Sequence, residues 1–456
     1  MPARLIDSLA TTEFLAELFS DQSVLQAMLD FEVALARAEA RVGVIPKSAA
    51  AAIVAAGKAD GFDITRLVRE TLHNATPGVP LAKVLTERVR SRNPKAAGFV
   101  HWGATSQDVA DTALILLLKR AQPVLDGDLA RLKIALRKLS ERHKNTVMLG
   151  RTLMQAAPPV TFGLKAAGWL GAVSRSSKRL DAAFGDSLIV QFGGATGTLA
   201  SLGKQGSAVA RALAKELGLG FPDAPWHAHR DRLATLVCSC GVLVGSLGKM
   251  ARDVSLLMQN EVAEAAEPSG EGRGSSSTMP HKRNPVGCAV TLAAALRVPG
   301  AVASFLSAMV QEHERGVGGW QAEWPIVASV VQSTGLAAAS MAEVVEGLSV
   351  DARRMRANID GTNGAVFAER AMILLGSSVG RDAAHEVVEE AVRESISQGR
   401  SLSQVLAEMP EVTSRLDASV LRSLEIPEQY LGEAETFRQA LVSSSRKTKS
   451  SNKREQ

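Results

Sequence analysis

Residues 125–139 read LDGDLARLKIALRKL. Leu125, Leu129, Leu132, Leu136 and Leu139 recur at steps of four and three, and Arg131, Lys133, Arg137 and Lys138 fall between them. At 3.6 residues per turn the leucines share one helix face and the cations lie on the other, so the stretch is an amphipathic helix that needs an apolar partner. Residues 108–118 carry the same signal. Pro123 is expected to kink or break the helix between the two, because it donates no N–H and crowds the preceding turn. Further long helices are expected over 159–184, 206–217, 231–266, 285–313 and 326–348. No run of strands with hairpin turns and no alternating βαβ pattern is visible. The fold class is therefore all-α, an elongated bundle with several helices of more than twenty residues.

Composition agrees. The 456 residues are 46% hydrophobic but only 4% aromatic, with Tyr430 the single tyrosine, so the core must be aliphatic. That favours packed helices over a β-sandwich. The length suits two or three domains of about 150 residues and a core that needs no disulfides. It also excludes disorder as the general state. The net charge of +5 would raise nucleic acid as a partner, but residues 442–456 hold five basic residues against one acid and account for +4 of it. A Ser- and Lys-rich end of this kind is expected to be a disordered, solvated tail rather than a nucleic-acid arm. Cys238, Cys240 and Cys288 have no metal or disulfide spacing, which suits a reducing compartment, and a cytoplasmic location is expected. No secretory signal is apparent. The longest uncharged run, residues 233–248, is too short to span a membrane and reads as a buried helix.

Glycine and small polar residues cluster at 193–197, 268–278 and 316–319, each between long helices. The expected organisation is an N-terminal helical domain over 1–105, a central long-helix bundle over 106–350 with a loop at 268–285, a C-terminal helical domain over 351–441, and the tail over 442–456. Residues 270–285, GEGRGSSSTMPHKRNP, admit two readings. One is a flexible linker. The other is a loop that delivers a serine and a lysine to an anionic substrate, which would use His281, Lys282 and Asn284 where a linker has no need of them.

These residues resemble the fumarase/aspartase superfamily. SSTMPHKRNP is similar to its GSSxMPxKxNP loop, with Ser275 in place of the first glycine and Gly274 just before it. HWGATSQD at 101–108 resembles HxGxTSxD, and Gly150-Arg151-Thr152 with Gln155 and Pro159 resembles GRTxxQxxxP. The motifs stand in the superfamily's order, and residues 355–369 extend the likeness towards the end. Within the superfamily the chain resembles the bacterial 3-carboxy-cis,cis-muconate cycloisomerases. The residues that carry this include Phe19-Ser20-Asp21, Met28-Leu29-Asp30-Phe31-Glu32, Gln191-Phe192-Gly193-Gly194-Ala195, Pro225-Trp226-His227, Arg230-Asp231-Arg232 and Gln311-Glu312-His313-Glu314-Arg315.

The resemblance implies a homotetramer with a twenty-helix core, active sites each built from three subunits, and a small tricarboxylate substrate. It implies no cofactor, no metal, no nucleic acid and no membrane. The implied reaction is intramolecular addition of a carboxylate to a double bond, in the protocatechuate branch of aromatic-acid catabolism. Ser276 would transfer the proton, with Lys282 assisting. Thr105, Ser106, Thr152, Gln155 and Asn284 would hold the substrate. His101 would bind substrate or orient its loop, Arg230 would line the pocket or belong to a structural ion-pair set, and Arg315 would bind substrate or sit in a packed turn. One departure is informative: superfamily lyases usually carry a histidine in this segment, at the position of Leu153 or of Ala156, and many cycloisomerases keep one at the latter, whereas this sequence has neither. A lyase expelling an amine or hydroxide needs that acid. A cycloisomerase, read in reverse, expels a carboxylate with an ordinary pKa near 4 and does not. Adenylosuccinate lyase activity is thus disfavoured, and a sulfomuconate cycloisomerase stays open.

Overall fold

The structure, a computed structural model, describes residues 5–270, 274, 278–279 and 282–445. The chain divides into two compact units, one of residues 1–129, 176–248 and 290–340, the other of 130–175, 249–289 and 341–456. Helices dominate both.

In the first unit, α1 (Glu13–Leu18), α2 (Asp21–Val42), α3 (Lys47–Ala56), α4 (Ile64–Asn74) and α5 (Gly78–Arg92) follow in order. Helix α2 starts at Ser20, whose hydroxyl accepts the Ser23 N–H, and ends at Gly43 with φ of 88°, a left-handed terminus that suits glycine. The next helix, α6 (Ser106–Arg142), continues through Pro123, so of the expected kink or break the break does not occur. Leu118, Ala121, Leu125 and Leu129 are all buried. Each buried leucine is worth ~1.5–3 kcal/mol, so the apolar face on either side offsets the ~3 kcal/mol cost of an internal proline.

Two strands, β1 (Val147–Thr152) and β2 (Gln155–Thr161), form an antiparallel hairpin over the GRT segment. This hairpin was not legible as strands, and it displaces the expected helix start at 159. Pro158 and Pro159 lack N–H groups and suit an edge strand better than a helix interior, so α7 begins at Phe162 (Phe162–Ser187). Gly150 sits at an irregularity in the hairpin, where a Cβ would come within 2.4 Å of the Pro158 carbonyl oxygen. Helix α8 (Gly206–Leu217) agrees with expectation.

Helix α9 (Asp231–Leu257) ends before the expected 266, and β3 (Ala265–Ala266) pairs with β4 (Ser349–Val350). Helices α10 (Val286–Ala308) and α11 (Gly319–Glu346) complete the long set; α11 starts seven residues ahead of the expected 326, with Pro325 inside its early turns. By length and composition α9, α10 and α11 are apolar enough to cross a membrane. In α10 the most apolar window has a mean hydropathy of 1.7, yet only 28% of it is buried.

The second unit's C-terminal part begins with α12 (Ala352–Asp360), which lies against β1. Val147 and Leu149 of β1 join Ile359, Phe367, Leu375, Leu402 and Leu406 in one buried cluster. The last helix, Ala434–Ser444, runs into the segment expected as tail. Residues 446–456 lie outside the described residues.

Candidate active site

The first unit gathers the HWGATSQD segment around Asp108. This carboxylate is buried at the first turn of α6 and accepts the Thr105 N–H at 3.0 Å, the Gly193 and Gly194 N–H groups at 3.0 and 2.9 Å, and His227 Nε2 at 2.7 Å. The bond back to Thr105 is half of a capping box, and it sets where the helix starts. Gly193 is required there, since a Cβ would lie 2.7 Å from Pro225 and 2.8 Å from His227.

Thr105, Ser106 and Arg315 lie together in the first unit. Arg315 donates from Nη1 to Thr105 Oγ1 at 2.7 Å, from Nη2 to Ser106 Oγ at 3.3 Å and from Nε to Gln107 Oε1 at 3.2 Å. All three acceptors are neutral, and no carboxylate pairs with this guanidinium among the described residues. Ser106, Gln107, Arg315 and Trp320 line a cavity of about 270 Å³ with Asn74 and Thr76.

Arg230 is placed differently. Its guanidinium is buried, donates to Asp111 at 2.8 and 2.9 Å and to Glu323 at 2.6–3.1 Å, and stacks 4.7 Å over Trp226. Trp320 Nε1 also donates to Asp111, at 3.0 Å. This corrects the expected substrate-binding place of Arg230: the geometry matches the ion-pair set, with every side of the guanidinium spent on protein groups. Burial pushes the Glu323 carboxyl up and Arg230 pulls it back, leaving it at about 7.

His101 stands apart from that network. Its Nδ1 lies 2.6 Å from Glu32 Oε1 on α2. Burial pushes the imidazole down, but Glu32, by charge and hydrogen bond, and Asp108, by charge, overcome this and hold it above the usual histidine range. Two turns along α2, Glu39 is also buried, and burial followed by the Glu32 charge pushes its carboxyl up to about 9. The folded state therefore keeps a proton that the unfolded state releases near 4.5, and the stability this confers is lost as pH rises from about 4.5 through about 9. Glu39→Gln, an isostere of the protonated acid, is expected to flatten that decline, so that urea midpoints of variant and parent diverge steadily between pH 5 and 9 in the variant's favour.

The second unit holds the other two motifs. Arg151 pairs bidentately with buried Glu264, at 2.9 and 2.6 Å, and Asn358 donates to the same carboxylate at 2.7 Å. This clamps the hairpin to the start of the C-terminal part. Thr152 and Gln155 face each other across the hairpin end and are exposed. Leu153 and Met154 form its tip, with φ of 49° and 69°, and are 96% and 72% exposed. Lys282 and Asn284 line a cavity of about 1110 Å³ with Met279, Gln259, Asp351 and Arg353. Backbone bonds from Lys282 to Met279 and from Asn284 to Gly274, each 3.0 Å, order this part of the loop. Glu267 secures its base by accepting the Gly287 and Cys288 N–H groups at the start of α10, at 3.0 and 2.8 Å. Ser276 and His281 lie outside the described residues. Asp108, Gln107 and Glu32 stood in quoted stretches with no role given to them; the roles of Glu32, Asp111 and Glu323 have no local sequence signal, because their partners are 69 to 119 residues away.

Residues 9–300 match the family described as Lyase, and residues 364–441 match the one described as Adenylosuccinate lyase C-terminus. The chain is 48% identical to 3-carboxy-cis,cis-muconate cycloisomerase of Pseudomonas aeruginosa, over 92% of this chain and 91% of that one. It is 46% identical to the cycloisomerase of Bradyrhizobium diazoefficiens, over 93% and 94%. The crystal structure of the 3-carboxy-cis,cis-muconate lactonizing enzyme from Pseudomonas putida superposes with a TM-score of 0.91 at 43% identity, covering 97% of this chain and 99% of that one. Motifs, helical architecture and near full-length similarity agree that the chain belongs to the lyase family of the fumarase/aspartase superfamily, alongside the 3-carboxy-cis,cis-muconate cycloisomerases.

Proposed function

We propose that this protein is a 3-carboxy-cis,cis-muconate cycloisomerase, closing the diene tricarboxylate onto one of its own carboxylates to give 4-carboxymuconolactone. The observation that carries the reading is Arg315, a cation cradled by Thr105, Ser106 and Gln107 with no carboxylate partner among the described residues, in a chain that neutralises Arg230 and Arg151 with buried carboxylates. An uncompensated guanidinium in a polar cavity is a carboxylate site.

Ring closure forms a C–O bond from carboxylate to alkene carbon. The alkene electron pair moves to the adjacent carbon, which bears negative charge delocalised into its own carboxylate and then takes a proton. The product carries one negative charge fewer than the substrate. Catalysis needs the attacking carboxylate held in line, which is an orientation effect, and donors for the enolate-like intermediate. In this reading Lys282, Asn284, Thr152 and Gln155 supply those donors, Thr105, Ser106, Arg315 and His101 anchor carboxylates, and Ser276 supplies the proton. Apolar Leu153 and Ala156 suit a reaction whose reverse leaving group departs unprotonated.

The site is shared between subunits of a homotetramer in this reading. Two observations support an assembly. Helix α10 exposes apolar surface, with Leu296 81% exposed, and apolar patches of that kind mark interaction surfaces. The hairpin tip sets Leu153 and Met154 in left-handed conformations that a two-residue turn normally gives to Asn-Gly. We place the protein in the cytoplasm, where the three free cysteines stay reduced.

The test is direct. Pure protein with 3-carboxy-cis,cis-muconate is expected to abolish the diene's ultraviolet absorbance while leaving adenylosuccinate intact. Persistence of the diene signal at high enzyme concentration, with adenylosuccinate cleaved, overturns the reading.

A further inference from the structure

Beneath the HWGATSQD segment lies a pair of carboxyls that the reaction as described does not use. Helix α2 carries Glu32 and Glu39 two turns apart, both buried. Glu32 Oε1 meets His101 Nδ1 at 2.6 Å, while Glu32 Oε2 and both oxygens of Glu39 have no hydrogen-bond partner among the described residues. A buried carboxylate without donors is costly, and one charge partner is the least that offsets it. His101 is that partner for Glu32. Its backbone is left-handed, with φ of 58°, a conformation that costs a non-glycine residue ~1–3 kcal/mol and persists only where surrounding contacts over-determine it. With Nδ1 taken by Glu32, Nε2 has no partner among the described residues, and the side chain is 19% exposed. Four residues on, Thr105 begins the cradle of Arg315.

We propose that Glu32 is a positioning residue for the cycloisomerisation: it holds His101 as an imidazolium with Nδ1 turned inward, so that Nε2–H and the ring's positive charge meet one carboxylate of the tricarboxylate substrate. This rests on the reading of the site as a tricarboxylate site. The charges acting on the ring are Glu32 from α2 and Asp108 from α6. Asp108 is occupied by His227 and three backbone N–H groups. Glu39 acts on Glu32 and holds its proton, so one carboxylate faces one imidazolium. The couple gives the substrate a second carboxylate-anchoring cation besides Arg315, and a buried anion is its means of keeping the imidazole charged at neutral pH.

The test compares the parent, Glu32→Gln and Glu32→Asp as full-length chains. The His101 resonance, assigned by its loss in His101→Gln, is titrated by NMR. Binding of propane-1,2,3-tricarboxylate is measured at pH 7.5, and KM and kcat for 3-carboxymuconate are measured beside it. Glu32→Gln is expected to lower the His101 midpoint by about one pH unit or more and to weaken tricarboxylate binding and raise KM ~10–100-fold, as loss of one charge-assisted hydrogen bond does. Its kcat should change far less, and Glu32→Asp should recover most of the midpoint and the affinity. An unchanged midpoint in Glu32→Gln overturns the proposal, and so does a lowered midpoint with unchanged affinity, which would make the pair purely structural. If the parent binds the tricarboxylate through His101 but leaves 3-carboxymuconate untouched, the cycloisomerase reading fails, and Glu32 with it as a positioning residue for that reaction, while the Glu32–His101 couple stands as a carboxylate anchor.

Discussion

Ser276→Ala is expected to lose turnover of 3-carboxymuconate by ~10²–10⁴-fold, the usual worth of a positioned proton donor, while the protein elutes as the same oligomer. The reasoning is chemical. Addition of the carboxylate leaves a carbanion stabilised by its neighbouring carboxylate, and that carbon must be protonated before the ring reopens. A serine is a poor acid unless nearby cations and oriented amides shift its proton affinity. Ser276 lies outside the described residues, and its role rests on its place in SSTMPHKRNP. Lys282, within the same motif, lines the 1110 Å³ cavity, and in the proposed mechanism it is the cation that performs that shift. Lys282→Met is therefore expected to cost a comparable factor. If the two residues act as one unit, the double variant loses much less than the product of the single losses. Stopped-flow loss of diene absorbance at saturating substrate reads all three. Multiplicative losses would separate Lys282 from the serine, and an undiminished Ser276→Ala rate would remove the serine from the mechanism.

Arg230→Met is expected to be the most destabilising single change in the first unit. The guanidinium makes five hydrogen bonds to Asp111 and Glu323 in a site without solvent. Removing one member of a buried ionic group costs ~3–5 kcal/mol, because the remaining charges stay buried without compensation. A methionine has the volume but leaves two carboxylates facing each other. The pH dependence gives the cause away. Glu323 already sits at about 7 with Arg230 pulling it down. Without that pull it rises further, so the folded variant binds protons the unfolded chain lacks, and stability is regained as pH falls. Denaturation midpoints of variant and parent should accordingly converge towards pH 5 and separate above pH 7. Combining Arg230→Met with Asp111→Asn and Glu323→Gln should recover most of the loss, since no buried charge then remains. A gap independent of pH would mean that packing, and not charge, is what Arg230 provides.

Leucine and alanine spacing determined the helical class and most long helices, because an apolar stripe of period 3.6 is a local property of the chain. The motifs determined the superfamily, and through it which of Thr105, Ser106, Lys282 and Asn284 to look for. What spacing misjudged were places where distant residues outvote local preference. Pro123 sits inside α6 because the leucines on either side are buried together, and the GRT segment is a hairpin clamped by Glu264, more than a hundred residues away. The charged residues were the least legible of all. Arg230 and Arg315 look alike in sequence, each beside acids and near aromatic residues. Only the tertiary structure separates them, sealing Arg230 between Asp111 and Glu323 and leaving Arg315 among neutral oxygens. Glu32 carried no sign of a role until the fold set His101 against it. The reason is physical: helix periodicity is written into neighbours three and four residues apart, whereas the state of a charge depends on burial and on partners that folding alone brings within 3 Å.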